Sequence, residues 1–339
     1  MITILGLDIG SHSIKLIEVA RDHDQITLLS AGSVLTPPKA MTSTVQSDLE
    51  TVAVAIKQLI KDTGTKSNEI HIALPESKVF TRVVEVPQLS SRELTSAIKW
   101  EAEQYVPMPL DQVNLDFSVL RDGHDTGINK MDVLLVAAPK TLVDKYLMIS
   151  ELAGLTVASA ETEILATSRA ITRSLPAVKT MMIVSMGAQT TDIALASAGI
   201  FTFVRSISTG GNSLTRAISQ NLDFSESQAE EYKRIYGLEK DKLEGKLLNA
   251  VRPVMDTIVN EMKRAIAFFE EKHKDQHVQT IILAGGSTRL PGMVTYFAES
   301  FNMEVQLANP LVGIIREPRF NILNSEGPNF CVAVGLALK

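Results

Sequence analysis

The sequence predicts an α/β protein built from two related halves, the first carrying an inserted α+β subdomain. Three observations lead there. A strand, a glycine turn and two further strands open the chain and recur near residue 180; from Gly10 to Gly187 the offset is 177 of 339 residues, and Ser13 falls opposite Thr190. Short buried strands alternate with amphipathic helices in both halves. Between about residues 77 and 153 the texture changes to a self-contained run of strand, helix, strand and strand.

Residues 2–9, 13–20 and 26–34 read as a three-stranded meander with turns at Gly10 and at the polar run 22–24. A helix follows over 45–61, where Leu49, Val52, Ile56, Leu59 and Ile60 share a face and Gly64 stops it, and 70–74 is a short buried strand. The insertion has a strand over 79–86 ended by Pro87, a helix over 90–105, the breaker Val106-Pro107-Met108-Pro109, and strands over 113–120 and 131–138. Helix 142–152 ends at Gly154, strand 156–160 returns to the first sheet, and 163–173 is helical. The second half repeats the meander over 181–184, 191–198 and 201–208, then has helices over 212–221, 227–235 and 248–271. A buried strand over 280–283 runs into Gly285-Gly286, and helices over 293–301 and 330–338 close the chain. The implied division is a first domain of 1–175 with 326–339, containing the insertion at 77–153, and a second domain of 176–325.

With 45% hydrophobic and 21% charged residues the chain can bury a large core. The net charge of −6, spread without long like-charge blocks, argues against a nucleic-acid partner. A single cysteine, Cys331, excludes an intramolecular disulfide and a CxxC metal knuckle. No run approaches the 18 or so apolar residues of a membrane span, and the opening MITILGLDIG has no basic leader region, so a cytoplasmic protein is expected.

The chemistry gathers at the two glycine turns. Gly10, Ser11, His12 and Ser13 in one half, and Gly187, Ala188, Gln189, Thr190 and Thr191 in the other, combine backbone N–H groups left uncovered by small residues with hydroxyl donors. That is an anion-binding concavity, and two of them facing each other suit a polyphosphate. Asp8, at the strand end, suits a magnesium ion through its water shell, and Lys15 shares the face of Ser13 within reach of phosphate oxygens. Neither GxxxxGK[ST] nor GxGxxG occurs.

The run Gly6-Leu7-Asp8-Ile9-Gly10-Ser11-His12-Ser13-Ile14-Lys15 resembles the first phosphate motif of the actin-like ATPases, in the form found in the PilM family of type IV pilus assembly proteins. The segment 281–292, with Gly285, Gly286, Ser287 and Leu290, resembles the family's adenosine motif; Ser208-Thr209-Gly210-Gly211-Asn212 resembles its turn beside the ribose and phosphates. Ala229-Glu230-Glu231-Tyr232-Lys233 resembles the helix supplying adenosine contacts, with Glu230 and Lys233 on one face. Ala160-Glu161-Thr162-Glu163 and 327–336 resemble the two connecting segments, and Glu101-Ala102-Glu103-Gln104-Tyr105-Val106-Pro107 resembles the signature of the family's extra subdomain.

The resemblance implies an actin-like, ribonuclease H-like duplicated fold that binds ATP with Mg2+. It further implies a cytoplasmic scaffold whose groove beside the insertion takes the N-terminal peptide of a PilN-like inner-membrane protein. Other pilus assembly components are further partners on this reading, and the chain reaches the cytoplasmic face of the inner membrane through a partner without inserting. One departure bears on turnover: the family's second phosphate motif carries Asp-Ile-Gly where this chain has Ser185-Met186-Gly187, so at most a slow ATPase is expected. Asp192 reads either as a substitute for that carboxylate or as a salt-bridged or solvated surface residue.

Competing readings are an FtsA-like cell-division protein, an MreB-like filament protein, a type II secretion homologue and a kinase of the same fold. The chain stops straight after the second connecting motif, without the amphipathic anchor of a division protein, and no motif supplies a kinase's general base and acceptor pocket. His273 and His277, at the spacing of a helical zinc pair, lack a third ligand at a motif distance and read as a solvated helix end. Trp100, with Ile98, Tyr105 and Val106, reads either as packing inside the insertion or as the lining of a peptide groove.

Overall fold

Strands β1 (Ile2–Ile9), β2 (Ser13–Asp22) and β3 (Gln25–Leu35) form the expected antiparallel meander, in a register that sets Asp8 opposite Lys15. The central residues of β1 and β2 are buried on both faces, which is why those strands show continuous apolar runs, whereas β3 at the sheet edge alternates buried and open positions. The computed structural model describes residues 2–38, 41–122 and 129–339. Helix α1 (Gln46–Thr63) lays Leu49, Val52, Ile56 and Leu59 on this sheet and ends where Gly64, at φ 67°, returns its N–H to the last turn. Strand β4 (Glu69–Leu74) then runs parallel to β1.

The insertion is a small sheet covered by one helix. Strands β5 (Phe80–Pro87), β6 (Val113–Arg121) and β7 (Lys130–Pro139) pair in the order β5-β7-β6. Helix α2 (Ser91–Tyr105) starts at a reciprocal cap between Ser90 and Glu93 and buries Leu94, Ile98 and Ala102 against that sheet. Trp100, two positions from Ile98, lies on the opposite side of the helix and is 62% exposed. The four residues grouped from the sequence therefore do not share a surface: Ile98 and Val106 are core, Tyr105 lies under the Arg82 guanidinium at 3.9 Å, and Trp100 faces outward.

Helix α3 (Lys140–Leu152) leads to β8 (Thr156–Thr162), parallel to β4, which completes a sheet of order β3-β2-β1-β4-β8. The second sheet has the same plan: β9 (Thr180–Met186), β10 (Thr191–Ser197) and β11 (Ile200–Ile207), then β12 (Thr280–Ala284) and β13 (Glu304–Leu307), in the order β11-β10-β9-β12-β13. The four-residue β13 stands where β8 stands in the first sheet; so short a run carries no periodicity and was not expected. Helices α5 (Gly211–Leu222), α6 (Glu226–Tyr236), α7 (Lys246–Lys272) and α8 (Met293–Phe301) surround this sheet, with Leu214, Met255, Met262 and Phe297 in its core.

Two helices join the halves. Helix α4 (Glu163–Ser174) packs Ile164 and Ile171 on the second sheet, whereas the C-terminal helix α9 (Cys331–Ala337) packs Ala333 and Val334 on the first. They cross so closely that a Cβ on Gly335 would stand 1.8 Å from the carbonyl oxygen of Ala166. Arg169 locks the crossing, donating to both oxygens of Glu161 at 2.6 Å and to the Gly335 carbonyl at 2.8 Å. From Leu311 onward the chain already packs on the first sheet, through Leu311, Ile314, Phe320 and Leu323.

Candidate functional site

Between the sheets lies a cleft of about 970 Å3, and both glycine turns face it. Asp8, Gly10, Ser11, His12, Ser13 and Lys15 line one wall. Gly187, Ala188, Gln189 and Thr190 lie opposite, with Gly211, Asn212, Glu230, Lys233, Gly285, Gly286, Ser287 and Leu290 beyond them. Two residues singled out from the sequence stand behind the wall instead. Thr191 is fully buried and donates to the Thr209 carbonyl at 2.7 Å. Gly210 lets the next turn approach, since a Cβ there would meet the Gly187 oxygen at 2.8 Å.

Carbonyl oxygens that would repel an anion are tied up within the protein. Thr36 binds the Gly10 carbonyl through its hydroxyl at 2.7 Å and the His12 carbonyl through its N–H at 2.9 Å. Across the cleft the Gly187 carbonyl accepts from the Gly211 N–H and from Ser287 Oγ, both at 2.9 Å, and the Ala188 carbonyl accepts from the Asn212 N–H at 2.8 Å. These bonds lash the second turn to the start of α5 and to the strand end after β12. Gly285 requires its residue type twice over, being at φ 85° with Met186 backbone 2.5 Å from where a Cβ would sit.

A shelf at one end joins α5 to α6. Lys233, 6% exposed, donates to the Gly211 carbonyl at 3.1 Å, Thr215 Oγ1 at 2.8 Å and Glu230 Oε2 at 2.6 Å. Burial raises the Glu230 pKa, but the bonds from Lys233 and Thr215 outweigh it and hold the carboxyl below its ordinary value. Burial pulls Lys233 down, against the attraction of Glu230. Arg216 and Arg234, not anticipated, and Arg289, within the 281–292 segment, add positive charge to the lining, Arg289 while paired with Glu326 at 2.6 Å.

Between the turns sits a group of buried acids. Asp8 and Lys15, 4% and 7% exposed, pair at 3.1 Å. Across the cleft, the 177-residue offset places Ser185 at the Asp8 position and Asp192 at the Lys15 position, and the strand register sets Ser185 opposite Asp192 just as it sets Asp8 opposite Lys15. The lysine of one half is thus a carboxylate in the other. Asp192 is neither salt-bridged nor solvated, which corrects one of its sequence readings: it is 3% exposed, accepts from Ser206 Oγ at 2.5 Å and lines the cleft. Burial pushes its pKa up to about 7, the Ser206 bond opposing and the charge of Glu76 adding. Glu163, the first residue of α4, also lines the cleft; burial, then Asp192 and Asp8, push its carboxyl well above the usual range. The repeat offset from Lys15 is the sequence signal that finds Asp192. For Glu163 it is the position at the start of the first connecting helix.

Among the described residues no cluster of His, Cys, Asp and Glu is placed to hold a metal, and His277 instead meets Glu270 at 3.2 Å. No helix of the described chain is long and apolar enough to cross a membrane.

Duplicated five-stranded sheets, a glycine turn from each facing one cleft, and two crossed connecting helices define a protein of the actin-like ATPase fold. Spiroplasma citri MreB5 bound to AMPPNP shares that fold, with a TM-score of 0.52 and 14% identity over 99% of this chain and 95% of that one. The family model described as type IV pilus assembly protein PilM matches residues 6–339, and the chain belongs to that family. A solved PilM-PilN type IV pilus biogenesis complex aligns with a TM-score of 0.86 and 27% identity, covering 99% of this chain and 97% of its counterpart. The cell division protein FtsA of Streptococcus pneumoniae is a more distant relative, 23% identical over 93% of this chain and 77% of its own length.

Proposed function

We propose that the cleft binds ATP with Mg2+ and that the protein is a nucleotide-bound scaffold of type IV pilus assembly with little or no turnover. The observation that carries the reading is the pair of facing turns whose carbonyls are engaged elsewhere, 177 residues apart in sequence and opposed across one cleft of about 970 Å3. A triphosphate lies between them, within reach of Ser11, Ser13 and Thr190, and the Lys233-Glu230-Thr215 shelf with Gly285-Gly286 takes the nucleoside. AMPPNP in MreB5, a protein of the same fold, is consistent with this.

Asp8 is the acid that suits a divalent ion through its water shell: it commits Oδ2 to Lys15 and leaves Oδ1 beside the turn, whereas burial favours the protonated forms of Asp192 and Glu163. Bound there, Mg2+ supplies charge neutralisation to the phosphates. Ser185 offers no carboxylate to orient a water, so ATP holds the two halves together across the α4–α9 crossing and turnover contributes little.

The partner on this reading is the cytoplasmic N-terminal peptide of a PilN-like inner-membrane protein, which brings the scaffold to the cytoplasmic face of the membrane. The PilM-PilN complex supports this choice over an FtsA-like division protein, a type II secretion homologue or a kinase. The division into 1–175 with 326–339, the insertion at 77–153 and 176–325 belongs to the same proposal with two adjustments from the packing, since the return to the first sheet begins near Leu311 and α3 packs Tyr146 and Ile149 in the first sheet's core; the two sheets are the bodies that nucleotide draws together.

A single-turnover assay with γ-labelled ATP and Mg2+, following bound nucleotide and released phosphate together, tests the site. Tight binding with negligible release is expected; rapid release removes the low-turnover reading, and no binding removes the nucleotide. Anisotropy of a labelled PilN-type N-terminal peptide, with and without ATP, tests the partner.

A further inference from the structure

Strand β3 forms the outer edge of the first sheet, and part of that edge has no partner among the described residues. Its first part is covered. The Leu28 N–H donates to the Ile315 carbonyl at 2.8 Å, the Ile315 N–H to the Ile26 carbonyl at 2.9 Å, and Arg319 reaches the Leu29 carbonyl at 3.4 Å. Beyond Leu29 the cover stops. The Thr36 N–H donates to the His12 carbonyl at 2.9 Å, which fixes the phase of the antiparallel ladder. Val34, opposite Ile14, and Gly32, opposite Leu16, therefore bond to β2, while Ala31, Ser33 and Leu35 turn their N–H and C=O groups outward. The run Ala31-Gly32-Ser33-Val34-Leu35 has no charge and no proline, the usual guards of an open edge.

That edge lies at the bottom of a slot. Gly32 faces α1, where a Cβ would stand 2.5 Å from Thr63 Cγ2, and Ala31 faces the core that holds Phe320 and Leu323. Between these walls a cavity of about 390 Å3 opens over residues 31–34, with Leu59 and Thr63 on one side and Phe320, Ile322 and Leu323 on the other. Ile322, at its lip, is 72% exposed. The charges at the rim are already answered, Asp62 by the Gln58 amide at 2.7 Å and Arg319 by Glu317 at 3.0 Å. An occupant thus gains from backbone bonds and apolar side chains, not from charge. Five residues give about 17 Å of edge, too little for pairing with a second copy, whose stable interface needs about 1,000 Å2 or more. The walls flanking β3 would also meet those of the second copy, whereas a single extended chain fits between them.

We propose that this slot binds an extended, proline-free peptide of a partner protein, which adds to β3 as a further strand over residues 31–35. It sends apolar side chains towards Phe320 and Ile322 and smaller ones, such as Thr, towards Leu59 and Thr63. The insertion leaves from β4, three places away in the sheet, so the slot is separate from the groove beside the insertion and stands or falls apart from the function proposed above. Ser33 and Leu35 also border the cleft, so the test is made without nucleotide.

The probe is a set of fluorescein-labelled, acetylated and amidated hexapeptides with Val, Ile or Phe at alternate positions and Thr or Ser between, titrated into the whole chain. Saturable one-to-one binding is expected, with slowed hydrogen exchange at the Ala31, Ser33 and Leu35 amides, which exchange fast in the free protein. Ser33→Pro removes the central donor at an edge position that accepts proline and weakens binding at least about tenfold. Ile322→Asp sets a charge at the exposed lip and also weakens binding, and it serves even where Ser33→Pro does not fold. No saturation by about 1 mM peptide, protection of the three amides already in the free chain, or binding that survives both variants overturns the proposal. A concentration-dependent dimer in sedimentation that alone accounts for the protection overturns it as well, by giving the edge to a second copy.

Discussion

Replacing Lys15 by alanine tests whether the buried pair between the two glycine turns is structural as well as a phosphate contact. At 3.1 Å, and with an effective dielectric constant of about 20, its attraction to Asp8 is about 5 kcal/mol before either ion's desolvation is subtracted. Because both residues are more than nine-tenths buried, Lys15→Ala leaves Asp8 as an uncompensated carboxylate, a change that costs about 3–5 kcal/mol. Asp8→Asn strands the ammonium in the same way. Removing both charges in Asp8→Asn/Lys15→Ala restores part of the loss. Urea unfolding of the four proteins gives the cycle, and the coupling should be at least about 2 kcal/mol. Additive losses, or a Lys15→Ala protein within about 1 kcal/mol of wild type, refute the reasoning. ATP titration of the double variant, in which the fold is not compromised, then reports what Lys15 contributes to the nucleotide.

Three further outcomes follow from other parts of the molecule. Gly335→Ala gains about 1 kcal/mol of helix propensity but drives a Cβ to 1.8 Å from the Ala166 carbonyl, where neither partner is a flexible side chain. Overpacking of about 3 kcal/mol wins, and a melting temperature about 4–8 °C lower is expected; an unchanged one would mean that the helices separate freely. Asp192, with its pKa near 7 in the fold against 3.8 for an ordinary carboxyl, keeps a native-state proton that the unfolded chain releases at lower pH. Stability therefore falls as pH rises from about 4 to 7, and Asp192→Asn flattens that slope in urea midpoints taken at pH 5, 6 and 7; an unaltered slope assigns it to Glu163 and Glu76 instead. Ser185→Asp restores the carboxylate missing from the second turn and raises single-turnover phosphate release by at least about tenfold, whereas an unchanged rate shows that something else limits hydrolysis.

The sheets were legible because their signal is long and repeated. The 177-residue offset alone pairs β1 with β9 and β2 with β10, and the stripe through Leu49, Val52, Ile56 and Leu59 marks α1. Both turns were found because glycine next to hydroxyl residues has few other uses at a strand end. What escaped depends on packing across chain distance. The repeat offset puts Asp192 opposite Lys15, but only its burial beside Ser206 decides between its two readings, and Glu163 is marked by its place at the start of the first connecting helix, where nothing local tells a buried acid from an ordinary first-turn one. Strand β13 takes its identity from β12 alone. Trp100 is different, because the spacing of Leu94, Ile98 and Ala102 already implies that it points away from the core.

The placing of the insertion beside β11 affects how the protein can be dissected. That strand ends the second sheet, and its Ile200-Phe201-Thr202-Phe203-Val204 stretch is rich in aromatic and branched residues, without charge and without proline. Strands β5 and β6 and the turn at Glu76 pack against it. A row of unpaired amides and carbonyls in such a stretch is a template for further strands, so excising 79–139 uncovers an adhesive edge as well as removing a surface, and a cut extended to 153 also takes Tyr146 and Ile149 out of the first sheet's core. A shortened chain of that kind is expected to precipitate or to assemble with itself, and its failure to bind a partner would then say little about where that partner sits. Point changes on the insertion's outer face, Trp100 among them, leave that edge covered and are the cleaner instrument.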